Sequence, residues 1–434
     1  MIRSNPWVST FLTNVLSLAC GVVTGIMAAR LLLPEGRGAL ATILFWPQLI
    51  AGIGLFSLNE AITYKDRADF NTGQRLIPSV VVLAASLGVL VALLSSATLP
   101  WLLGSQHTGE LPLAQWFLLT FVPMYILAMC LIAVEHARLK FEMLNIYRLA
   151  VPGVYLLGMV ALWACNSISV KNVVIANLIG TAVVAILSLM RQGREMFESP
   201  SLKCTRELLH VAIRFHSVAV LRLINSQIDR LLVLLLFGNF SIGIYAAAFT
   251  YASSGLLSIT ESFLSLMFPR LVGQDRAIQV KYLAKGLRYS TLLIILGTVP
   301  LFALAWLIVP FLFGEHFGEA VFVSKVLLVA YVPLAIRQIL ERNLRGLGLA
   351  WYGAESEIVC LLVFLAISGP LSSAWGIGGV GASLLFANLL SLLLLVIRTR
   401  DSLGLTFQDC WGLNLATFNE VISWAYQSNQ NRKI

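Results

Sequence analysis

Residues 76–103 read LIPSVVVLAASLGVLVALLSSATLPWLL and contain no Asp, Glu, Lys or Arg. A helix that crosses a bilayer needs about 20 consecutive, mostly apolar residues, so this stretch is long enough to span one. The whole chain has the same character, because 58% of its 434 residues are hydrophobic and only 12% are charged. Soluble domains carry about twice that share of charge. The sequence therefore predicts an all-α integral membrane protein and excludes a soluble enzyme.

Further apolar runs of similar length lie on both sides of residues 76–103, giving twelve predicted membrane spans. Several contain Pro or Gly, which membrane helices tolerate where neighbouring groups satisfy the freed backbone. The first run continues almost directly into the second, so we interpret it as an uncleaved anchor. The twelve runs lie near 7–33, 38–63, 76–103, 112–136, 146–165, 170–190, 209–237, 242–268, 286–313, 321–345, 352–370 and 376–397.

The basic residues predict the orientation of the chain. With the N-terminus inside, the cytoplasmic segments and helix ends hold 23 of the 30 Lys and Arg residues. The outer segments hold Arg30, Arg37, Lys171 and Lys325, and three arginines lie inside the seventh run. Since cytoplasmic loops of membrane proteins are enriched in Lys and Arg, both termini are predicted to be cytoplasmic. We expect a multi-pass membrane protein.

Composition excludes several classes of function. The formal charge of +9 would suggest nucleic acid in a soluble protein, but here it favours the membrane surface as a partner. The six cysteines show no CxxC spacing, and no His/Cys metal motif is present. No GxxxxGK[ST] phosphate loop occurs, which argues against ATP hydrolysis. We expect no metal and no cofactor, with H+ or Na+ left open as a coupling ion.

The chain contains an internal repeat. LPWLLG at 99–104 matches VPFLFG at 309–314, and FVP at 121–123 matches YVP at 331–333, both at a shift of 210. ANL at 176–178 recurs at 387–389, at a shift of 211. Six spans per repeat is an even number, so both copies have the same orientation in the membrane. The sequence predicts two six-helix lobes related by a pseudo-twofold axis along the membrane normal.

This repeat defines four predicted segments of the chain. The loop between the copies is the most polar internal stretch and is interpreted as a cytoplasmic linker. After Arg400, aromatic and aliphatic residues such as Trp411 and Phe418 recur at three- and four-residue steps, which predicts an amphipathic helix in the headgroup layer; a disordered tail is the alternative. The segments are an N-terminal lobe (1–190), the linker (191–208), a C-terminal lobe (209–400) and a cytoplasmic amphipathic tail (401–434).

The seventh run carries charges at bilayer depth, where charged groups are costly and usually functional. Arg222 lies near its midpoint. At about 100° per residue, Arg214, Arg222, Asn225 and Asp229 fall within about 80° of arc. We predict that this face forms a cationic wall for an anionic substrate, with Asp229 orienting or neutralising Arg222. The alternative is a salt-bridged stripe that holds helices together. Arg230 lies off this face and near the outer end of the run, and its side chain could equally reach the headgroups or line a cavity.

Other polar positions are weaker candidates. Arg30 and Arg337 are also predicted to bind substrate. Arg30 could equally reach the headgroups. For Arg337, an ion-pair ladder with Glu341 and Arg345 is slightly favoured over a position at a cavity entrance. Glu261 is the best candidate for a protonatable coupling carboxylate, with helix packing as the alternative. Glu60 is a second, interfacial candidate.

Two segments resemble a known family. AARLLLPEGRG at 28–38 is similar to the ARLLGPEGYG end of the first helix in bacterial polysaccharide and oligosaccharide exporters. DRLL at 229–232, FGN at 237–239 and GIYAAA at 243–248 resemble their signature around helices seven and eight. The chain thus resembles Wzx-type flippases, which share a superfamily with MATE multidrug exporters and lipid II flippases. The resemblance covers the whole chain through its hydropathy plan and implies a MATE-like, twelve-helix fold.

The resemblance implies a transporter of the bacterial inner membrane, and no enzyme. It would move an undecaprenyl-diphosphate-linked oligosaccharide from the cytoplasmic to the periplasmic leaflet by alternating access through a cationic central cavity. The cargo would be an O-antigen, capsule or exopolysaccharide repeat unit, as in lipopolysaccharide biosynthesis. Membrane lipids, a polysaccharide polymerase and chain-length proteins are the implied partners; nucleic acid is not. One alternative is a MATE-like ion-coupled exporter of small molecules, against which the arginines argue. Another is a membrane oligosaccharide polymerase or glycosyltransferase, against which the short outer loops argue. Lipid II is disfavoured because its flippases usually carry two additional helices.

Overall fold

A computed structural model describes residues 6–68, 76–271 and 276–405. These residues form eleven α-helices, connected by short turns that include three 3-10 helices at 105–107, 193–197 and 315–317. The helices are α1 (Pro6–Gly54), α2 (Leu58–Ala68), α3 (Leu76–Leu103), α4 (Leu111–Ala137), α5 (Phe141–Ala164), α6 (Val170–Gln192), α7 (Leu202–Leu236), α8 (Asn239–Leu271), α9 (Arg276–Phe313), α10 (Ala320–Gly346) and α11 (Ala350–Leu403). The all-α prediction is confirmed for this part of the chain.

Eight helical segments of the described chain are long and apolar enough to cross a membrane. Two of them, Leu12–Tyr64 and Ala350–Leu403, each cover two of the predicted spans. Both are broken in the middle, the first at Leu33 (φ 60°, ψ 175°) and the second at Gly376 (φ 56°, ψ −137°). The breaks divide each helix into two pieces of about the length that a bilayer requires. A multi-pass membrane protein is therefore confirmed, while the arrangement of twelve spans in two lobes stays a prediction.

The repeat seen in the sequence is also present in the local structure. α3 ends at Leu103 and α9 at Phe313, and each is followed by a glycine with positive φ and a 3-10 helix, at 105–107 and 315–317. The matched prolines lie inside the next helix in both copies, Pro123 in α4 and Pro333 in α10. The shift of 210 thus relates helix ends and turns as well as residue types.

A reciprocal backbone contact joins the break in α1 to the start of α8. A Cβ added to Gly38 would lie 1.8 Å from the carbonyl oxygen of Asn239, and one added to Gly243 would lie 2.0 Å from that of Pro34. A shift of 205 relates Gly38 to Gly243 and also Pro34 to Asn239. In each segment a glycine packs against a backbone carbonyl oxygen of the other segment, and the residues involved correspond to one another, as in a two-fold contact. Both glycines fall in the segments that carry the family resemblance, so those motifs have a packing explanation.

The chain divides into two compact units, here called the first unit (residues 1–247 and 310–319) and the second unit (248–309 and 320–434). The predicted division at the linker 191–208 stays a prediction. Within the first unit, this segment forms the 3-10 helix 193–197, and α7 then begins after Ser201, whose side chain accepts a hydrogen bond from the Cys204 amide. The amphipathic tail with Trp411 and Phe418 lies outside the described residues, apart from its start at 401–405.

Candidate functional site

The first unit contains a cavity made of two adjoining chambers. The first chamber, of about 900 Å³, lies among the beginning of α1, α2, the end of α4 and the beginning of α5. Its ionisable lining residues are Glu60, Tyr64, His136 and Arg148, and the remainder of its wall is mostly apolar or amide in character. Glu60, predicted from the sequence as interfacial, is thus placed at this chamber; its role in ion coupling stays a prediction.

The second chamber, of about 610 Å³, is lined by α1, α4, α5, α6 and α7. Met129, Ile132, Leu144 and Arg148 line both chambers, so Arg148 stands where they adjoin. Arg148 and Arg230 are the charged residues among those that line the second chamber, and no carboxylate occurs among them. Polar neutral groups complete the wall: Gln48, Tyr125, Tyr147, Asn177, Thr181 and Gln227. This lining is cationic and rich in hydrogen-bonding groups.

Contacts between α1 and α5 hold Arg148 in place. One of its guanidinium nitrogens, Nη1, donates to Oδ1 of Asn14 at 2.5 Å, and its carbonyl accepts from the Ser17 hydroxyl at 3.3 Å. One turn earlier on α5, Asn145 Nδ2 donates to Oγ of Ser9 at 3.2 Å. These polar contacts lie along a seam between two apolar helices. They fix the register of α5 against α1 and therefore the position of the Arg148 guanidinium.

Arg230 reaches the second chamber from α7. Its Nη2 donates to the carbonyl oxygen of Ser226, one turn earlier, at 3.0 Å. Leu223, Gln227 and Arg230 all line the chamber, and at 100° per residue they fall within about 60° of arc. This face of α7 differs from the face that the sequence analysis favoured, on which Arg222 and Asp229 lie.

The favoured face of α7 is distributed over different environments. Asp229 is buried, with 3% of its surface exposed, and its Oδ2 accepts a 2.8 Å hydrogen bond from the Tyr245 hydroxyl. Arg222 is exposed, and within the described residues it makes no ion pair with Asp229. Arg214 is also exposed and contacts His210 Nε2 at 2.9 Å, while Asn225 is half-buried. None of these four lines either chamber, so their substrate role stays a prediction.

Arg30 lies near the reciprocal glycine contact and caps the end of α9. Its Nε donates to the carbonyl oxygen of Leu312 at 2.7 Å, and its Nη2 donates to that of Phe311. The last carbonyls of a helix lack partners within the helix, and a cation placed there is favoured by the helix dipole. The structure thus gives Arg30 a structural partner. The Glu261 side chain lies outside the described residues.

Arg337 belongs to a buried ionic cluster in the second unit. Its Nη1 lies 2.9 Å from Oε1 of Glu341, one turn later on α10, and 3.1 Å from Oε2 of Glu357 on α11. Ser356 Oγ also donates to Glu341 Oε1, at 3.0 Å. The three charged residues are 2%, 4% and 8% exposed. The cluster contains the Arg337–Glu341 pair of the predicted ladder and adds Glu357, which the sequence did not single out.

Two arginines at the cavity are not among the substrate-binding residues predicted from the sequence. The sequence identifies Arg148 only as one of the basic residues at cytoplasmic helix ends, and for Arg230, which lies off the Arg222 face, it leaves open whether the side chain reaches the headgroups or lines a cavity. The spacing of Leu223, Gln227 and Arg230 at i, i+4 and i+7 was a visible signal for a second polar face. No sequence signal distinguished which of the two faces would line a cavity.

Comparisons with known proteins place the chain in a family. Residues 26–322 match the family described as polysaccharide biosynthesis protein. The chain belongs to this family. The resemblance to polysaccharide exporters that the sequence indicates is thereby confirmed at the level of the family. Among curated proteins, none matches the sequence.

Solved structures with the same fold include two transporters of the MOP superfamily and a lipid II flippase. An inward-facing multidrug resistance MATE family transporter matches with a TM-score of 0.73 and 14% identity, covering 90% of this chain and 94% of that one. The lipid II flippase MurJ, in an inward closed conformation, matches with a TM-score of 0.74 and 15% identity, covering 91% and 87%. A MOP superfamily transporter from Pyrococcus furiosus matches with a TM-score of 0.61 and 14% identity, covering 93% and 98%. The polysaccharide biosynthesis protein therefore has a MATE-like fold.

Proposed function

We propose that this polysaccharide biosynthesis protein is a flippase that moves a polyprenyl-diphosphate-linked oligosaccharide from the cytoplasmic to the outer leaflet. The observation that carries the proposal is the cavity of the first unit, whose second chamber is lined by Arg148 and Arg230 and by no carboxylate. A diphosphate cannot cross hydrocarbon without a replacement for its hydration. Arginine supplies that replacement because its planar guanidinium binds phosphate oxygens through two parallel hydrogen bonds and stays charged.

The neutral groups of the chamber suit the sugar part of this cargo. Amides and hydroxyls of Gln48, Asn177, Thr181 and Gln227 offer donors and acceptors for sugar hydroxyls. The cavity volumes fall within the roughly 300–1,000 Å³ that small-molecule sites occupy. The lipid tail remains in the bilayer while the headgroup occupies the chambers, and alternating access then releases the headgroup on the other side. Arg222 and Arg214, exposed on α7, extend the same cationic character along the helix.

The alternatives receive less support. A MATE-like exporter of cationic molecules favours an acidic cavity, but among the lining residues of the two chambers Glu60 is the one carboxylate, beside Arg148 and Arg230. A polymerase or glycosyltransferase needs catalytic groups outside the membrane. The connections at 104–110, 165–169 and 314–319, which the sequence predicts to lie outside, are too short to form such a site.

A reconstitution experiment tests the proposal. The purified chain is placed in liposomes with a fluorescent short-chain polyprenyl-diphosphate disaccharide, and a membrane-impermeant quencher reports how much probe changes leaflet. We expect flipping by the wild type and at least a tenfold lower rate for Arg148→Gln, since a charge-assisted contact is worth about 1.5–3 kcal/mol. Arg194→Gln, an exposed arginine in the 3-10 helix 193–197, serves as the matched control. Absence of flipping, or equally fast flipping of fluorescent phosphatidylcholine, contradicts the proposal.

A further inference from the structure

Arg37, near the start of the second piece of α1, is a half-buried arginine whose charge no described carboxylate matches. Its Nε is enclosed by protein and has no hydrogen-bond partner, and the guanidinium makes no ion pair within the described residues. Glu35 is exposed and lies only two residues away, and side chains at that spacing do not face each other on a helix. The charge of Arg37 is therefore not compensated by the part of the chain that the structure describes.

Two neighbouring helices border Arg37. Tyr155 on α5 is close enough to interact with it electrostatically, but a phenol is neutral at physiological pH and does not balance its charge. A Cβ added to the preceding Gly36 would lie 3.7 Å from Val170 Cγ2, so the start of α6 lies beside this part of α1. The helices α1, α5 and α6 also line the second chamber. Arg37 thus lies among helices that form the cavity wall, although it lines neither chamber in this structure.

Positions along the helices place Arg37 beyond the second chamber. On α5, Arg148 lines both chambers, Val151 lines the second, and Tyr155 follows one turn later, within about 20° of arc of Arg148. On α1, Arg37 and Gln48 also fall within about 20° of arc and lie about 16 Å apart along the helix axis. Gln48 lines the second chamber, and α2, which follows, lines the first. Both helices therefore give the same order: first chamber, second chamber, Arg37.

This order has a consequence for the proposed cargo. The predicted orientation puts the first chamber on the cytoplasmic side and Arg37 on the outer side. An enclosed guanidinium without a counter-charge is costly, and a bound phosphate removes that cost through two parallel hydrogen bonds. A headgroup that leaves Arg148 toward the outer side needs a second such group, because a diphosphate without hydration or hydrogen bonds is strongly disfavoured. Arg37 lies on its path, about 10 Å beyond Arg148 as measured along α5 to Tyr155.

We infer that Arg37 is a second diphosphate-binding residue, which takes the headgroup over from Arg148 when the cavity opens to the outer side. The inference rests on the proposed function and on the predicted orientation. It divides phosphate binding between an inner subsite at Arg148 and an outer subsite at Arg37. Because Arg37 lines neither chamber here, the outer subsite is reached only after the helices around it move.

The flipping assay with the polyprenyl-diphosphate disaccharide tests the inference on the full chain in liposomes. Arg37→Gln should flip the probe about tenfold or more slowly than the wild type, as the loss of a charge-assisted contact predicts. Arg37→Lys should keep part of the rate, because lysine retains the charge without the planar fork. Lys171→Gln is the matched control and should flip at the wild-type rate, since Lys171 is an exposed cation next to Val170.

Thermal unfolding in detergent separates a ligand-binding role from a structural one. Arg37→Gln removes a charge that no described residue balances, so it should unfold at the wild-type temperature or above it. A ligand of the folded state raises the unfolding temperature. Inorganic pyrophosphate should therefore raise that of Arg148→Gln, in which Arg37 remains, and the double variant Arg148→Gln, Arg37→Gln should lose most of this shift. Mixed micelles with phosphatidylglycerol, which present a lipid phosphate, should not reproduce it.

Four outcomes overturn the inference. Flipping by Arg37→Gln at the wild-type rate shows that the headgroup does not need Arg37. A lower unfolding temperature of Arg37→Gln without ligand assigns the side chain a structural role. Equal pyrophosphate shifts in Arg148→Gln and the double variant place the second anion site elsewhere. A phosphatidylglycerol shift that depends on Arg37 assigns the site to a lipid headgroup.

These four outcomes leave the flippase proposal intact. Failure of the wild type to flip the probe removes the proposed function and, with it, the transfer of the headgroup from Arg148 to Arg37. In that case a pyrophosphate shift that depends on Arg37 still supports an anion site at this residue, so the two failures are distinguishable.

Discussion

The helices α4–α6 of the first unit and α10–α11 of the second unit are corresponding parts of the internal repeat, but their interiors differ. In the first, Ala128, Tyr147, Val184 and Ala185 form an apolar cluster, three of whose members also line the second chamber. In the second, Arg337, Glu341 and Glu357 form a buried ionic cluster. At the shift of 210, these three positions correspond to Leu127, Leu131 and Tyr147.

The difference shows how two copies of one helix arrangement can have unlike interiors. Helix ends, turns and the matched prolines are kept in both copies because they determine the backbone path. The positions between the helices are free to change, since either apolar contacts or a mutually compensated set of charges can fill them. In the second unit, Arg337 is paired with two buried carboxylates, Glu341 and Glu357. In the first, Arg148 and Arg230 are among the residues that line the second chamber.

The largest effect is expected from breaking the ionic cluster. Arg337→Leu introduces the leucine that the first copy has at position 127. It leaves Glu341 and Glu357 buried together, which lowers the free energy of unfolding by about 3–5 kcal/mol. The triple variant Arg337→Leu, Glu341→Leu, Glu357→Tyr introduces all three residues of the first copy and should recover most of that loss. Unfolding by denaturant in detergent measures both. A triple variant as unstable as the single one would show that the two interiors are not interchangeable.

The reciprocal glycine contact predicts two equal effects. Gly38→Ala and Gly243→Ala each place a methyl group within 2.0 Å of a carbonyl oxygen, so the backbones must separate, at about 1–3 kcal/mol each. Because a two-fold relates the contacts, the two losses should agree closely. Gly21→Ala, whose added Cβ meets nothing within 4 Å, is the matched control and should not destabilise. Thermal unfolding compares the three; clearly unequal losses for positions 38 and 243 contradict the symmetry.

Asp229, a buried carboxylate of the first unit, predicts a moderate effect. Asp229 accepts a hydrogen bond from the Tyr245 hydroxyl, a neutral donor, where Glu341 has a guanidinium. Tyr245→Phe keeps the ring and removes that donor, which should cost about 1–3 kcal/mol. Tyr251→Phe is a suitable control, because the Tyr251 hydroxyl donates to a backbone carbonyl and to no carboxylate. Equal losses in both variants would indicate that the carboxylate adds nothing to the bond.

The smallest effect is expected at Arg222. The sequence predicts that Arg222 lies at bilayer depth, but its side chain is exposed and makes no ion pair with Asp229 in the described structure. Arg222→Ala should therefore change the free energy of unfolding by no more than about 0.5 kcal/mol. A loss comparable to that of Arg337→Leu would reveal a structural partner. If Arg222 has the proposed substrate role, the same variant flips the disaccharide probe more slowly while unfolding at the same temperature.

Three features follow from the sequence alone: the chain lies in lipid, it is helical and it contains a repeat. A low share of charge and long apolar runs require lipid contact and helices, because backbone groups in hydrocarbon must be satisfied within the segment. Pro123 and Pro333, and the turns before them, revealed the repeat because local backbone constraints depend on residue type. The segments 28–38 and 229–248 indicated the family because their residue types are constrained as well. Gly38 and Gly243 are required there by close packing against backbone carbonyls.

Only the tertiary structure decided which polar side chains line the cavity. Helical periodicity groups Arg222 with Asp229 and Gln227 with Arg230, but it cannot say which face a neighbouring helix covers. Arg148 and Arg230 lie 82 residues apart and both line one chamber only because α5 and α7 both border it. Glu357 lies beside Arg337 because α11 packs against α10. The residue pattern of neither helix indicates that contact. Site chemistry depends on such distant contacts, whereas helix formation depends on neighbours within one turn.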